Sequence, residues 1–200
     1  MLKNGPLEWE LIETKKIHQN DMITLYEDVL NLDGEEKIYT RCKRNDYSTI
    51  VPFISDTEVL VIKSYRHLVD STHIEVPSGY INDKEDPKSA VKRELLEETG
   101  FVAKKIYSLG KYTLDYSMFE QYGHVFVGYQ LEKIKKQDLE KMEKIEVKIM
   151  SIDNLKRFLE QGKILNAASI IALYRALNFH QKKVDKEKFK KSNHLINQWH

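Results

Sequence analysis

Residues 79–101 read GYINDKEDPKSAVKRELLEETGF, and the spacing of charge in this stretch decides both the fold and the chemistry. Asp86 is a good N-cap, because its short carboxylate reaches the free N–H groups of a helix's first turn; Pro87 suits the first helical position, where no N–H is needed. From Lys88 to Thr99 nothing breaks a helix, and Gly100 supplies the stop. Ala90, Val91 and Leu95 recur at helical spacing and turn one face to a core. Glu94 and Glu98 are four apart and stack on one edge of that helix, with Glu97 beside them. Like charges so placed repel by about 0.2–0.5 kcal/mol per pair, so the cluster costs stability unless a cation offsets it. Oxygen ligands without a Cys or His cluster suit Mg²⁺ or Mn²⁺ better than zinc. A solvated acidic face partnered by Lys88, Lys92 and Arg93 is the plain alternative. Gly79, Glu85, Arg93 and Gly100, all at fixed distances around the cluster, weigh against it.

The rest of the composition narrows the class. Two hundred residues, 41% of them hydrophobic, are enough for one main domain with an added subdomain and a core that needs no staples. A single cysteine, Cys42, excludes a disulfide framework within the chain and reads as a small buried side chain. Apolar runs are short, so no membrane partner is expected, and residues 1–10 carry no apolar secretory core, which points to the cytoplasm. A net charge of +1 exerts no global pull on nucleic acid, which is not expected as a partner. Residues 182–191 are locally basic and read as a solvated tail.

Short strands are expected before residue 38, with a turn at Asp33-Gly34, then at 47–54 and 59–65 around a turn at 55–57. Further strands are expected at 124–131 and 145–150. Ser151 caps a short helix, and Asn166 caps a last one on which Ile170, Ile171, Tyr174 and Leu177 form one face. Strands in mixed order around two or three helices make an α/β or α+β sandwich.

The spacing Gly-x5-Glu-x7-Arg-Glu-apolar-x-Glu-Glu-x-Gly-apolar resembles the signature of Nudix hydrolases, with no position missing. Lys63-Ser64-Tyr65-Arg66-His67, Glu75-Val76-Pro77-Ser78-Gly79 and the segments 160–164 and 166–168 resemble the ADP-ribose pyrophosphatase, or nucleoside diphosphate sugar hydrolase, branch of that family. The resemblance implies a Nudix α/β/α sandwich with a mixed sheet over residues 46–180. Residues 1–45 would form an antiparallel β subdomain that makes a homodimer, and 181–200 the basic tail. It implies metal-dependent hydrolysis of a small nucleotide, most of all ADP-ribose to AMP and ribose 5-phosphate, with Mg²⁺ or Mn²⁺ as cofactor. Glu94 and Glu98 would ligate the metal with the backbone carbonyl of Ser78, and Glu97 would be a further ligand or its neighbour. A general base is expected from the acidic loop 138–146, where Glu143, also a metal-ligand candidate, ranks first, Glu140 second and Glu146 third.

Arg93, four residues before Glu97, can orient the cluster through that ion pair or through Glu85. Gly79, Glu85 and Gly100 serve the motif's structure. Arg66 has a donor fork suited to phosphate, although an exposed strand-end arginine is the alternative. Glu75, Ser117, Glu120 and Trp9 join it as substrate-binding candidates. Tyr26 and Phe53 are further stacking candidates, and plain core is the alternative for each aromatic. His67, His73 and His124 lack ligand spacing and read as structural. One departure bears on substrate: many ADP-ribose enzymes carry Ser-Pro-Gly about fifteen residues past the signature, where this chain has LDYSMFE at 114–120. Tyr116 there resembles dinucleoside polyphosphate hydrolases, the alternative activity. A nucleotide-binding module without catalysis is the alternative from another class, and an RNA-end pyrophosphohydrolase using the lysine tail is a third.

Overall fold

The computed structural model describes residues 9–139 and 141–196. In chain order the strands are β1 (Glu10–Gln19), β2 (Thr24–Leu32), β3 (Glu35–Lys43), β4 (Tyr47–Pro52), β5 (Glu58–Arg66) and β6 (Ser71–Glu75). They continue as β7 (Ser78–Tyr80), β8 (Phe101–Tyr112), β9 (Phe119–Glu120), β10 (Gly123–Lys133) and β11 (Ile145–Ser151). The helices are α1 (Pro87–Thr99), α2 (Ile152–Glu160) and α3 (Ala167–Ile196). Two compact units emerge: one holds the described residues up to Asp46 with Tyr112–Tyr122, the other Tyr47–Lys111 and the chain from Gly123 onward.

The first unit is an antiparallel meander, β1-β2-β3, with β9 parallel to β3. Asp33 and Gly34 both take positive φ, 53° and 92°, which gives the two-residue hairpin the twist its strands require. The pairing of β1 with β2 slips at Ile12 and again at Ile17, and every residue of β1 is exposed.

In the second unit β7-β4-β10-β8 form a mixed sheet, with β10 parallel and β7 antiparallel to β4. A separate antiparallel sheet runs β11-β5-β6. Ile50 and Phe126 meet Val91 and Leu95 of α1 on one face of the mixed sheet. Tyr129, of opposite parity to Phe126, stacks with Phe53 on the ring of His180 from α3, so α3 lies on the other face. The result is the expected sandwich of helices about a mixed sheet. Phe53 is 1% exposed and belongs to the core.

The short strands β6, β7 and β9 were not anticipated, and two longer elements also differ from the sequence reading. β8 was not anticipated, because Lys104 and Lys105 stand side by side and break any clean alternation. Along residues 167–186 of α3 the buried residues are Ala168, Ser169, Ala172, Leu173, Ala176 and His180, while Tyr174 is 56% exposed. Small alanines let the helix backbone approach the sheet, so the most buried face runs through them and Leu173, while Ile170, Ile171 and Leu177 of the expected face are half-buried. The helix also runs on to Ile196 through the stretch read as a tail, which contains no Pro or Gly to stop it. Among the described residues no helix is long and apolar enough to cross a membrane.

Candidate active site

The start and stop of α1 follow from its sequence. Asp86 Oδ1 accepts from the N–H groups of Lys88 (2.9 Å) and Ser89 (3.1 Å), and Pro87 opens the helix. Ser48 Oγ donates to the Pro87 carbonyl at 2.8 Å and ties this end to β4. At the other end Gly100 takes φ 77° and its N–H closes on Leu96 O. Ala90, Val91 and Leu95 are fully buried, which turns the opposite edge, with Glu94 and Glu98, toward β7.

These two carboxylates are 8% and 3% exposed. The Ser78 N–H donates to Glu98 Oε2 at 2.9 Å, so the backbone of β7 lies against the helix edge. A Cβ at Gly79 would fall on the carboxylate of Glu94; the glycine keeps that seat clear. Burial pushes the Glu94 carboxyl up, Arg93 opposes it, and Glu97 and Glu143 add to the rise. Glu98 is pushed well above the ordinary value, first by burial, then by Glu94 and Glu143, with the Ser78 N–H and Arg66 pulling the other way.

Arg93 holds the motif together. Its Nε and NH2 donate to both oxygens of Glu85 (3.1 and 3.0 Å), NH1 to Glu94 (2.6 Å) and Glu97 (3.1 Å), and NH2 to the Tyr80 carbonyl (2.9 Å). Its pKa rises, chiefly through Glu85, and the Glu85 carboxyl is lowered, chiefly by Arg93. Arg66 donates through Nε and NH2 to both oxygens of Glu75 (2.8 and 2.6 Å), a residue 2% exposed. The Arg66 cation is favoured first by that pairing and further by the charges of Glu98 and Glu143. Glu143 therefore stands within electrostatic reach of Glu94, Glu98 and Arg66 together. Glu146 is exposed and donated to by Lys148, which lowers its carboxyl. Glu140 lies outside the described residues.

The other candidates sit in the first unit. Ser117 donates N–H and Oγ to Asp115 (2.7 and 2.5 Å), and its carbonyl accepts from Tyr39 Oη. Glu120 pairs with Arg41 (2.6 Å) and Lys43 (3.0 Å). Trp9 is 56% exposed, its ring 5.7 Å from Tyr39, and Tyr26 lies 4.3 Å beneath the Arg41 guanidinium.

Among the described residues no three His, Cys, Asp or Glu side chains are gathered tightly enough to hold an ion as they stand, with Arg93 NH1 bridging Glu94 and Glu97. The donors nonetheless fit a divalent cation in kind: hard oxygens, two of them buried, and a glycine cradle kept open beside one. Sequence reasoning missed what covers the C-terminal end of α1. The Glu97 carbonyl accepts from the Asp138 N–H (2.8 Å) and the Glu98 carbonyl from Gln137 Nε2 (2.6 Å). The only available signal was generic, that a helix's last carbonyls need donors from somewhere.

Comparison with known proteins gives the family and the fold. The profile of the NUDIX domain matches residues 44–172. A Bacillus subtilis protein named ADP-ribose pyrophosphatase is 25% identical over 169 residues, covering 84% of this chain and 91% of that one. A Bacillus methanolicus protein named methanol dehydrogenase activator is 20% identical over 168 residues, 83% of this chain and 91% of its own. A solved structure titled ADP compounds hydrolase superposes with a TM-score of 0.79 at 20% identity, over 90% of this chain and 98% of its own.

Proposed function

The chain belongs to the Nudix hydrolase family, and on that premise we propose that it hydrolyses the phosphoanhydride bond of a nucleoside diphosphate sugar, ADP-ribose giving AMP and ribose 5-phosphate. The observation that carries this is the pair Glu94 and Glu98, buried on one helix edge against the β7 backbone, each raised by burial and by neighbouring carboxylates. Acids buried together with less positive charge than negative around them are strained, and a divalent cation relieves them. Magnesium, or manganese in its place, would be held by Glu94, Glu98 and the Ser78 carbonyl, with Glu97, 36% exposed at its side chain, as a further ligand. Such ions supply positive charge against the pyrophosphate oxygens and the departing phosphate.

This chain's own residues do the rest. Glu143, near Glu94, Glu98 and Arg66, takes the proton of the attacking water, a role worth about 10²–10⁴ in rate. Arg66, held by Glu75, turns fixed positive charge toward an anionic substrate. Arg93 locks Glu85, Glu94 and Glu97 in place. Ser117, Glu120 and Trp9 are the candidates for the ribose and the base. The similarity to a protein named ADP-ribose pyrophosphatase, along nearly the whole of both chains, supports that substrate. Tyr116, 80% exposed where the Ser-Pro-Gly segment is missing, favours dinucleoside polyphosphates as the second choice. The partner is a second copy of the chain: β1 is exposed throughout, and Leu11, Ile12, Ile17 and Ile38 offer apolar area for it to cover. The compartment is the cytoplasm.

Incubation with Mg²⁺ and a panel of nucleoside diphosphate sugars and diadenosine polyphosphates, with products separated, tests this activity. AMP and ribose 5-phosphate appearing fastest from ADP-ribose is the expected result. Faster asymmetric cleavage of a diadenosine polyphosphate reverses the order of substrates. If every compound stays uncut, the hydrolase reading falls.

A further inference from the structure

The stretch that carries Glu143 leaves β10 and returns to β11, and its two ends are fastened in unlike ways. At the near end the backbone presses on the C-terminus of α1. The Ile134 and Lys135 N–H groups both donate to the Gly100 carbonyl (3.0 and 3.3 Å), and the Asp138 N–H donates to Glu97 O (2.8 Å). Gly100 makes this approach feasible, since a Cβ there would overlap the Lys135 carbonyl. At the far end the Tyr65 N–H donates to Lys144 O (3.2 Å), holding the chain to β5. One side chain spans both ends: Gln137 Nε2 donates to the Glu98 carbonyl at 2.6 Å and to the Ile145 carbonyl at 3.2 Å. An amide nitrogen has two protons, and here both are used.

We propose that Gln137 is a positioning residue, a clasp that fixes the Glu143-bearing stretch against the carboxylate helix. The two carbonyls it joins belong to Glu98, a metal-ligand candidate, and to Ile145, two residues after Glu143. A shift of either element is therefore transmitted to the distance between the ligand edge and the proposed base. The backbone bonds at Gly100, Glu97 and Lys144 each hold one end of the stretch, whereas the Gln137 amide reaches both. Its effect on turnover rests on Glu143 acting as the base; the clasp itself does not.

Gln137→Met keeps the length of the side chain and removes both donors; Gln137→Glu sets a carboxylate against two carbonyls and serves as the second variant. Trypsin cleavage after Lys141 and Lys144 in the intact, folded protein reads the clasp without reference to activity. The clasp predicts a rate increase of roughly fivefold at these bonds with the thermal midpoint unchanged, as for a local opening. In the kinetic arm kcat falls on the order of tenfold with KM within about twofold, the pattern of an interaction felt only in the transition state. In a Glu143→Gln background the same substitution changes kcat by less than about twofold, because the two groups act as one unit. Unchanged cleavage at both lysines overturns the clasp whatever the kinetics. Loosening accompanied by an equal kcat loss in both backgrounds overturns action through Glu143. Loosening with Glu143→Gln fully active upholds the clasp and discards Glu143 as the base.

Discussion

Asp28 in the first unit and Glu94 in the second are equally buried, each 8% exposed, yet their carboxyls shift in opposite directions. Asp28 is lowered, first by the Arg41 guanidinium, whose Nε lies 2.6 Å from Oδ2, with Thr14 Oγ1 donating at 2.7 Å and burial opposing. Arg41 in turn is raised, chiefly by Asp28. That cluster balances its own charge and asks for no ligand. Glu94 shares Arg93 with Glu85 and Glu97, and Glu98, deeper still, has the Ser78 N–H and the charge of Arg66 against the carboxylates of Glu94 and Glu143. Asp28 and Glu94 each have an arginine at 2.6 Å; what differs is the sum of charge, since Arg41 and Lys43 match Asp28 and Glu120, whereas Arg93 is divided among Glu85, Glu94 and Glu97. A charge deficit left in a buried site is a functional signal, whereas a completed ion cluster is a structural one.

The largest break in this contrast is Glu98→Gln. Turnover with Mg²⁺ should fall by at least about a hundredfold, since a ligand is lost. Chemical denaturation without metal should show no loss of stability, because a neutral amide replaces a buried carboxyl whose ionised form burial and neighbouring carboxylates disfavour. Glu97→Gln, at a half-exposed position, should cost roughly tenfold in kcat under the same assay. In the first unit Arg41→Met should do the reverse, stranding Asp28 at a cost of about 2 kcal/mol in a urea titration. The smallest effect separates the two by pH. Glu98 keeps its proton to higher pH folded than unfolded, so its stabilising contribution is full below the ordinary value of 4.5 and is lost as pH rises through the raised one. Asp28 contributes above its ordinary value of 3.8 and loses that as pH falls through its lowered one. Metal-free thermal midpoints should thus decline on the alkaline side of 4.5 in the wild type and decline less in Glu98→Gln.

Much of this was legible where information is local. The caps of α1, its buried face and the Asp33-Gly34 turn depend on residues two to four apart, and each lies where the spacing put it. Arg93 likewise has its partners in its own motif. Reading failed where tertiary approach decides. On α3 the alanines pack and Tyr174 does not, since closeness to the sheet outweighs residue size. The partner of Arg66 was equally unreadable: Glu75, nine residues on, accepts from its Nε and NH2. Gln137 carries no signal at all in one dimension: its two acceptors are 39 and 8 residues away.

Calorimetric titration of metal-free protein with Mn²⁺, run side by side on the wild type and Glu98→Gln, tests the central claim most directly. Saturable uptake by the wild type, absent or at least about tenfold weaker in the variant, is the outcome predicted for a buried carboxylate edge that awaits a cation. Equal uptake by both proteins, or none by the wild type, would contradict it.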